Sequence, residues 1–193
     1  MDGHVVRFYE DDESFDEILI DYIGGGLEAE EACFVVATPP HREGLREGLR
    51  ARGLHTGTDP IDAERYMVVD AAETLSRFIV EGWPDEERFA ETLGGLIGRA
   101  ATVGNGRVRI FGEMVNLLFA DAKPEAAIHL ERLWNRLATT YSFTLLCAYP
   151  MRTFFMEEHR SSLGKICNEH TGICVAKEYG PPYVRKEKPL GEY

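Results

Sequence analysis

Three groups of side chains in this sequence have the types and spacing to do chemistry. The first is the acidic turn Glu10, Asp11, Asp12 and Glu13 in "HVVRFYEDDESF", between an apolar run and the start of a helical pattern. In α/β proteins such a turn often cradles a phosphate on free backbone N–H groups. A working phosphate loop needs Gly for close approach and Lys for the β- and γ-phosphates. "YEDDESFD" has neither, and each carboxylate near a triphosphate repels it by roughly 4 kcal/mol at a surface-like dielectric. The turn therefore argues against P-loop hydrolysis. A Ca²⁺ or Mg²⁺ site would use the same oxygens, but the spacing lacks the Gly and the final Glu of an EF-hand loop. The simplest role for these acids is to complement the dipole at a helix N-terminus.

The second group is Cys167, His170 and Cys174, whose spacing could supply three of four zinc ligands. It fits no common structural zinc pattern, and both cysteines lie among Ile166, Ile173 and Val175, as buried structural thiols do. No metal and no cofactor is expected; Cys167, His170 and Cys174 are the candidate ligands if a metal is bound. The third group is led by Glu113, where "RIFGE" ends a strand pattern and Gly112 admits close approach to the backbone. Glu113 could alternatively cap its helix or pair with Arg7 or Arg109. Nucleophilic catalysis has little support: Cys147 lies within "TLLCAYP", where a buried thiol is inert, and no GxSxG elbow is present.

The elements that position these residues follow from periodicity. Strands are expected at 5–9, 32–38, 66–71, 107–112 and 143–150, all apolar and β-branched or aromatic enough to be covered on both faces. Helices are expected from Ser14, as cap, to Ile23 with a stop at Gly24–Gly26, then over 41–52, 72–81, 85–103 and 123–141, with a short one in "EMVNLLFA". Strands alternating with helices define an α/β class with a mostly parallel central sheet of at least five strands and helices on both faces. Polar residues at the ends of such strands converge on one edge, so Tyr9, Thr38, His41, Asp70, Glu113 and Tyr149 form the expected ligand-binding set. In the long helix, His129, Arg132 and Arg136 share one face and Glu131 and Asn135 another.

Composition limits the partners. With 33 acids against 21 bases the formal charge is −12, which repels nucleic acid and anionic lipid. Direct nucleic-acid or membrane binding is not expected, and no apolar run approaches a bilayer span. The four cysteines read as reduced thiols, and the expected location is the cytoplasm. The chain reads as one domain over 1–176 with a Pro- and charge-rich extended tail over 177–193.

Taken in order, "HVVRFYEDDESF", "YIGGGLEAEEACFVVATPPHREGLREGLRARG", "VVDAAETLSRFIVEGWPDEERF", "RIFGEMVNLLF", "AIHLERLWNRLA", "FTLLCAYP" and "ICNEHTGI" resemble the MEDS domain, named for methanogens, methylotrophs and the DcmR sensory region, over about residues 4–173. The resemblance implies a RecA/KaiC-like three-layer sandwich whose phosphate-loop position is taken here by "YEDDES". It also implies a sensory input module; with the phosphate loop replaced and no nucleophile elbow, the module is expected not to be an enzyme and to recognise a small-molecule ligand, a signalling protein, or both. Self-association is compatible with that role. Two other readings are a divergent nucleotide- or metal-binding enzyme using Glu113 or Asp70, and an acidic scaffold for protein interaction.

Overall fold

Apolar strands form the middle of the molecule because both of their faces are covered. The structure is a computed structural model that describes residues 3–54, 65–103, 105–154, 157–174 and 184–185. Five strands supply most of the sheet: β1 (His4–Tyr9), β2 (Ala32–Ala37), β3 (Tyr66–Asp70), β6 (Val108–Gly112) and β7 (Thr144–Pro150). With β8 (Gly172–Cys174) and β9 (Val184–Arg185) the order is β3-β2-β6-β7-β1-β8-β9, parallel except for the final β8–β9 pair. A separate hairpin pairs β4 (Ile79–Val80) with β5 (Trp83–Pro84).

Alternation along each strand sends successive side chains to opposite faces. On one face Val5, Cys33, Val35, Phe111 and Leu146 pack against α1 (Asp12–Glu28) and α2 (Pro39–Ala51) through Phe15, Leu19, Ile23, Leu45 and Leu49. Val6, Phe34, Val36, Ile110 and Cys147 point the other way. They meet α5 (Gly95–Val103), α6 (Met114–Ala120), α7 (Pro124–Leu137) and α8 (Glu157–Glu169) through Ile97, Leu118, Leu133, Trp134 and Ile166. The result is the expected α/β architecture, with a parallel sheet between two helical layers.

Several boundaries differ from expectation, each for a physical reason. Helix α1 runs through Gly24–Gly26 to Glu28 instead of stopping there. A Cβ at Gly26 would stand 2.7 Å from the Cys33 Sγ and 2.9 Å from Arg109, so this glycine serves close packing and not termination. Asp11, not Ser14, caps α1 by accepting from the Ser14 amide at 2.8 Å. Gly48 plays the same packing part in α2: a Cβ there would lie 2.0 Å from Ile20 of α1. The helix expected over 72–81 ends early as α3 (Ala71–Ser76), because Glu81 (φ 51°) and Gly82 (φ 82°) make a two-residue hairpin turn. The helix expected over 85–103 is α4 (Glu86–Phe89) running through a π-helical turn (Ala90–Gly94) into α5. The long helix expected over 123–141 is the shorter α7, Pro124–Leu137. Of the tail over 177–193, Val184–Arg185 pairs with β8 and the rest lies outside the described residues.

Candidate functional site

Strands β2 and β6 are hydrogen-bonded neighbours, yet α2 leaves on one face of the sheet and α6 on the other. In α/β proteins ligands bind at the carboxyl edge of the sheet where consecutive connections diverge in this way. Glu113 stands there, between the end of β6 and the start of α6. It occupies the cap position of α6 without capping it. Its carboxylate instead reaches across to β2, where Oε2 accepts from the Thr38 amide at 2.7 Å and Oε1 lies 2.7 Å from His41 Nδ1. The Thr38 hydroxyl lies 3.3 Å from the same ring nitrogen. Phe15 meets the His41 ring edge-on at 4.5 Å and stacks on Tyr9 at 4.5 Å, forming an aromatic wall. The Glu113 side chain is 4% exposed and that of His41 12%, so the imidazole stands between the carboxylate and solvent.

A second polar cluster lies deep in the other layer. Glu131 of α7 is fully buried. Its Oε1 accepts from the Tyr149 hydroxyl at 2.6 Å, and its Oε2 lies 3.1 Å from His4 Nε2, 3.3 Å from Cys147 Sγ and 3.6 Å from His170 Nε2. The two imidazoles are 4.0 Å apart between centroids. Burial by itself would raise the Glu131 carboxyl, but His170, His4 and the Tyr149 hydroxyl outweigh it and bring it down to about 2. Burial, reinforced by the Glu131 charge, pushes the Cys147 thiol and the Tyr149 phenol well above their ordinary values. At neutral pH Cys147 is therefore no free nucleophile.

Of the six strand-end residues, the structure brings Tyr9, Thr38, His41 and Glu113 together at the β2/β6 edge. Asp70 stands one strand further out, where it caps α3 through the Glu73 amide at 2.9 Å and binds Arg42 of α2 at 3.0 Å. Tyr149 goes elsewhere: it pairs with Phe8, not Tyr9, and alternation turns both toward the α7 layer. Arg109 does not pair with Glu113; it binds Glu31 at 2.7 Å and the Tyr22 carbonyl at 2.7 Å. Those contacts border an open polar groove of about 410 Å³ at the opposite end of the strands, lined by Arg107, Ser142 and Thr144 among others.

Among the three candidate metal ligands, His170 does join a metal-capable group, but its companions are His4, Glu131 and Cys147. Half-buried Cys167 is not among them, and the side chain of Cys174 lies outside the described residues. His4 carried no signal: it precedes the strand expected at 5–9, and the structure places it at the start of β1. Glu131 did: it occupies a core position of α7, with Ile128 and Trp134 three residues away on either side, and a charge is rarely buried there unless paired. Asn135 and Arg132 tie the same helix to Glu169 at 2.8 Å each.

The fold and the two clusters define a three-layer α/β domain with a polar edge at its strand divergence and a buried polar centre beneath. Residues 3–164 match the family described as MEDS, the MEthanogen/methylotroph, DcmR Sensory domain, and the chain belongs to that family. A sensory or regulatory role comes with that membership. A solved structure from Pyrococcus horikoshii OT3, a structural-study target, resembles the chain with a TM-score of 0.54 at 8% identity, over 90% of this chain and 81% of that one. At that identity the likeness is one of fold. No curated protein matches this chain. No helix among the described residues is long and apolar enough to cross a membrane.

Proposed function

We propose that this domain is a non-enzymatic sensor that binds a small molecule at the β2/β6 edge and passes the change to a protein partner. The observation that carries the reading is the Glu113 carboxylate. Buried and held by Thr38 and His41, it links the starts of two helices that leave the sheet on opposite faces. A ligand with a hydrogen-bond donor would compete for Glu113 or His41 while its carbon body met Phe15 and Tyr9. Exchange of those partners would let α2 shift against α6, which is the motion a partner could read. Two features support a role without catalysis. Asp11 in the phosphate-loop position is spent on the Ser14 amide, and Cys147 is fully buried, out of reach of a substrate.

Thermal melts against ATP·Mg and a panel of small halogenated, methylated and one-carbon compounds test the proposal. A ligand at about a hundred times its Kd adds roughly 2.7 kcal/mol, or about 5–10 °C for a domain of this size. The expected result is such a shift with a small carbon compound, lost in Glu113→Gln and absent with ATP·Mg. A Glu113-dependent shift with ATP·Mg would replace the sensor reading with that of a divergent nucleotide-binding enzyme. No shift with any compound, together with salt-sensitive capture of one protein, would replace it with the acidic scaffold.

A further inference from the structure

The geometry of His4, Glu131, Cys147 and His170 points to a closed binding site for a divalent transition-metal ion, zinc by the chemistry of its donors, and we infer that the domain carries one there. This inference is independent of the β2/β6 edge. It starts from distance. The four donor atoms all lie within 4.8 Å of one another. Tetrahedral zinc with bonds of about 2.0–2.3 Å separates its ligands by roughly 3.3–3.7 Å. Four of the contacts are already at or near that spacing: Nε2 of His4 to Oε2 of Glu131 at 3.1 Å and to Sγ of Cys147 at 3.3 Å, Cys147 to Glu131 at 3.3 Å, and His170 to Glu131 at 3.6 Å. The two remaining pairs lie within 4.8 Å, so closing an ion into this space brings those donors about an ångström nearer each other.

The surrounding hydrogen bonds orient the donors. The Ile166 carbonyl can only accept, so His170 Nδ1, at 2.7 Å from it, carries a proton. Asn135 donates through Nδ2 to the Glu169 carbonyl, which leaves its Oδ1 as the acceptor facing His4 Nδ1 at 2.9 Å. Each imidazole thus turns Nε2, the nitrogen opposite its anchored Nδ1, toward the same carboxylate oxygen. The other carboxylate oxygen is occupied by the Tyr149 hydroxyl. Nitrogen ligands fixed through their second ring N–H, beside a carboxylate fixed through its second oxygen, are the outer-shell arrangement that metal sites use.

The donor set narrows the ion. One thiolate, two imidazoles and one carboxylate suit zinc, whereas magnesium and calcium prefer oxygen alone. Four protein ligands, each no more than 5% exposed, leave no open position for substrate, so the site is structural. On binding, the Cys147 thiol proton is released to solvent and the thiolate takes its place on the metal. The ligands come from β1, α7, β7 and the turn between α8 and β8, so the ion would fasten both flanks of β1 to the helix above them.

The test uses the whole chain, purified without chelator, and reads metal content by elemental analysis together with the spectrum after exchange with Co²⁺. The expected result is about one zinc per chain. Co²⁺ should then give the visible bands of a tetrahedral site and a thiolate-to-cobalt charge-transfer band. Cys147→Ser should remove the charge-transfer band and lower metal affinity at least tenfold, while Cys167→Ser should leave both unchanged. Because core variants can fail to fold, the wild-type chain supplies a second readout: Cys147 should resist alkylation with metal bound and become modifiable after chelation under mild denaturant. A folded wild-type chain that takes up neither zinc nor Co²⁺ would overturn the site. So would metal content and cobalt bands that persist unchanged in folded Cys147→Ser and His170→Ala.

Discussion

The two polar clusters each turn on one buried glutamate, and they differ in what holds it. Glu113 sits at the tips of the strands with two partners, a backbone amide and an imidazole that touches solvent. Glu131 sits between sheet and helix with no exposure, surrounded by a phenol, a thiol and two imidazoles from β1, β7 and the turn before β8. A carboxylate at a rim can exchange a partner for a ligand at small cost. One at the centre cannot let go of any partner without leaving it stranded in a medium of low dielectric. Burial alone therefore does not mark a binding site. The number of independent elements that converge on the group separates a responsive site from a fastening.

The largest expected effect breaks the fastening. Glu131→Ala leaves a phenol, a thiol and two imidazoles buried around a void and should cost about 3–5 kcal/mol in urea unfolding. A loss under about 1 kcal/mol would remove the distinction between the two clusters. The next compares two buried thiols. Cys33 lies in the opposite core, donating weakly to the Ile23 carbonyl at 3.6 Å, and burial pushes it up to about 12 despite the opposing charge of Arg109. An unfolded thiol ionises near 9, so this contribution is intact below about pH 9 and drains as the pH rises toward about 12, by up to about 4 kcal/mol. Stability measured from about pH 8 to about pH 11 should fall by about 3 kcal/mol less in Cys33→Ala than in wild type. An equal fall in the two proteins would show that Cys33 titrates normally. The smallest effect is at the rim: Glu113→Gln keeps an acceptor for the Thr38 amide and should cost only about 1–2 kcal/mol. A cost matching that of Glu131→Ala would make both glutamates fastenings.

The sequence made the architecture legible because the strands are buried on both faces, and continuous apolar runs such as "ACFVVA" and "TLLCAYP" announce that directly. The rim was legible for the same reason: once the strands are placed, Thr38, His41 and Glu113 fall at their ends. The buried cluster was not. Its members stand at positions 4, 131, 147 and 170, and only strand order and register bring them together. Local spacing favoured Cys167 with His170, whereas the companions of His170 come from β1, α7 and β7 and Cys167 stands outside the four-donor group. Likewise Gly24–Gly26 has the local look of a helix stop, and only the approach of Cys33 and Arg109 gives it another purpose.

The place of β1 has a consequence for how the molecule is made. This strand is synthesised before all the others described, yet its two hydrogen-bonding neighbours are β7 and β8, which begin at residues 144 and 172. At ribosomal speeds of about 5–20 residues per second, both edges of "HVVRFY" stay unpaired for on the order of ten seconds. An apolar strand with two open edges is a template for association with other chains. A product truncated before residue 144 would keep the β3-β2-β6 half of the sheet but leave β1 with neither of its partners.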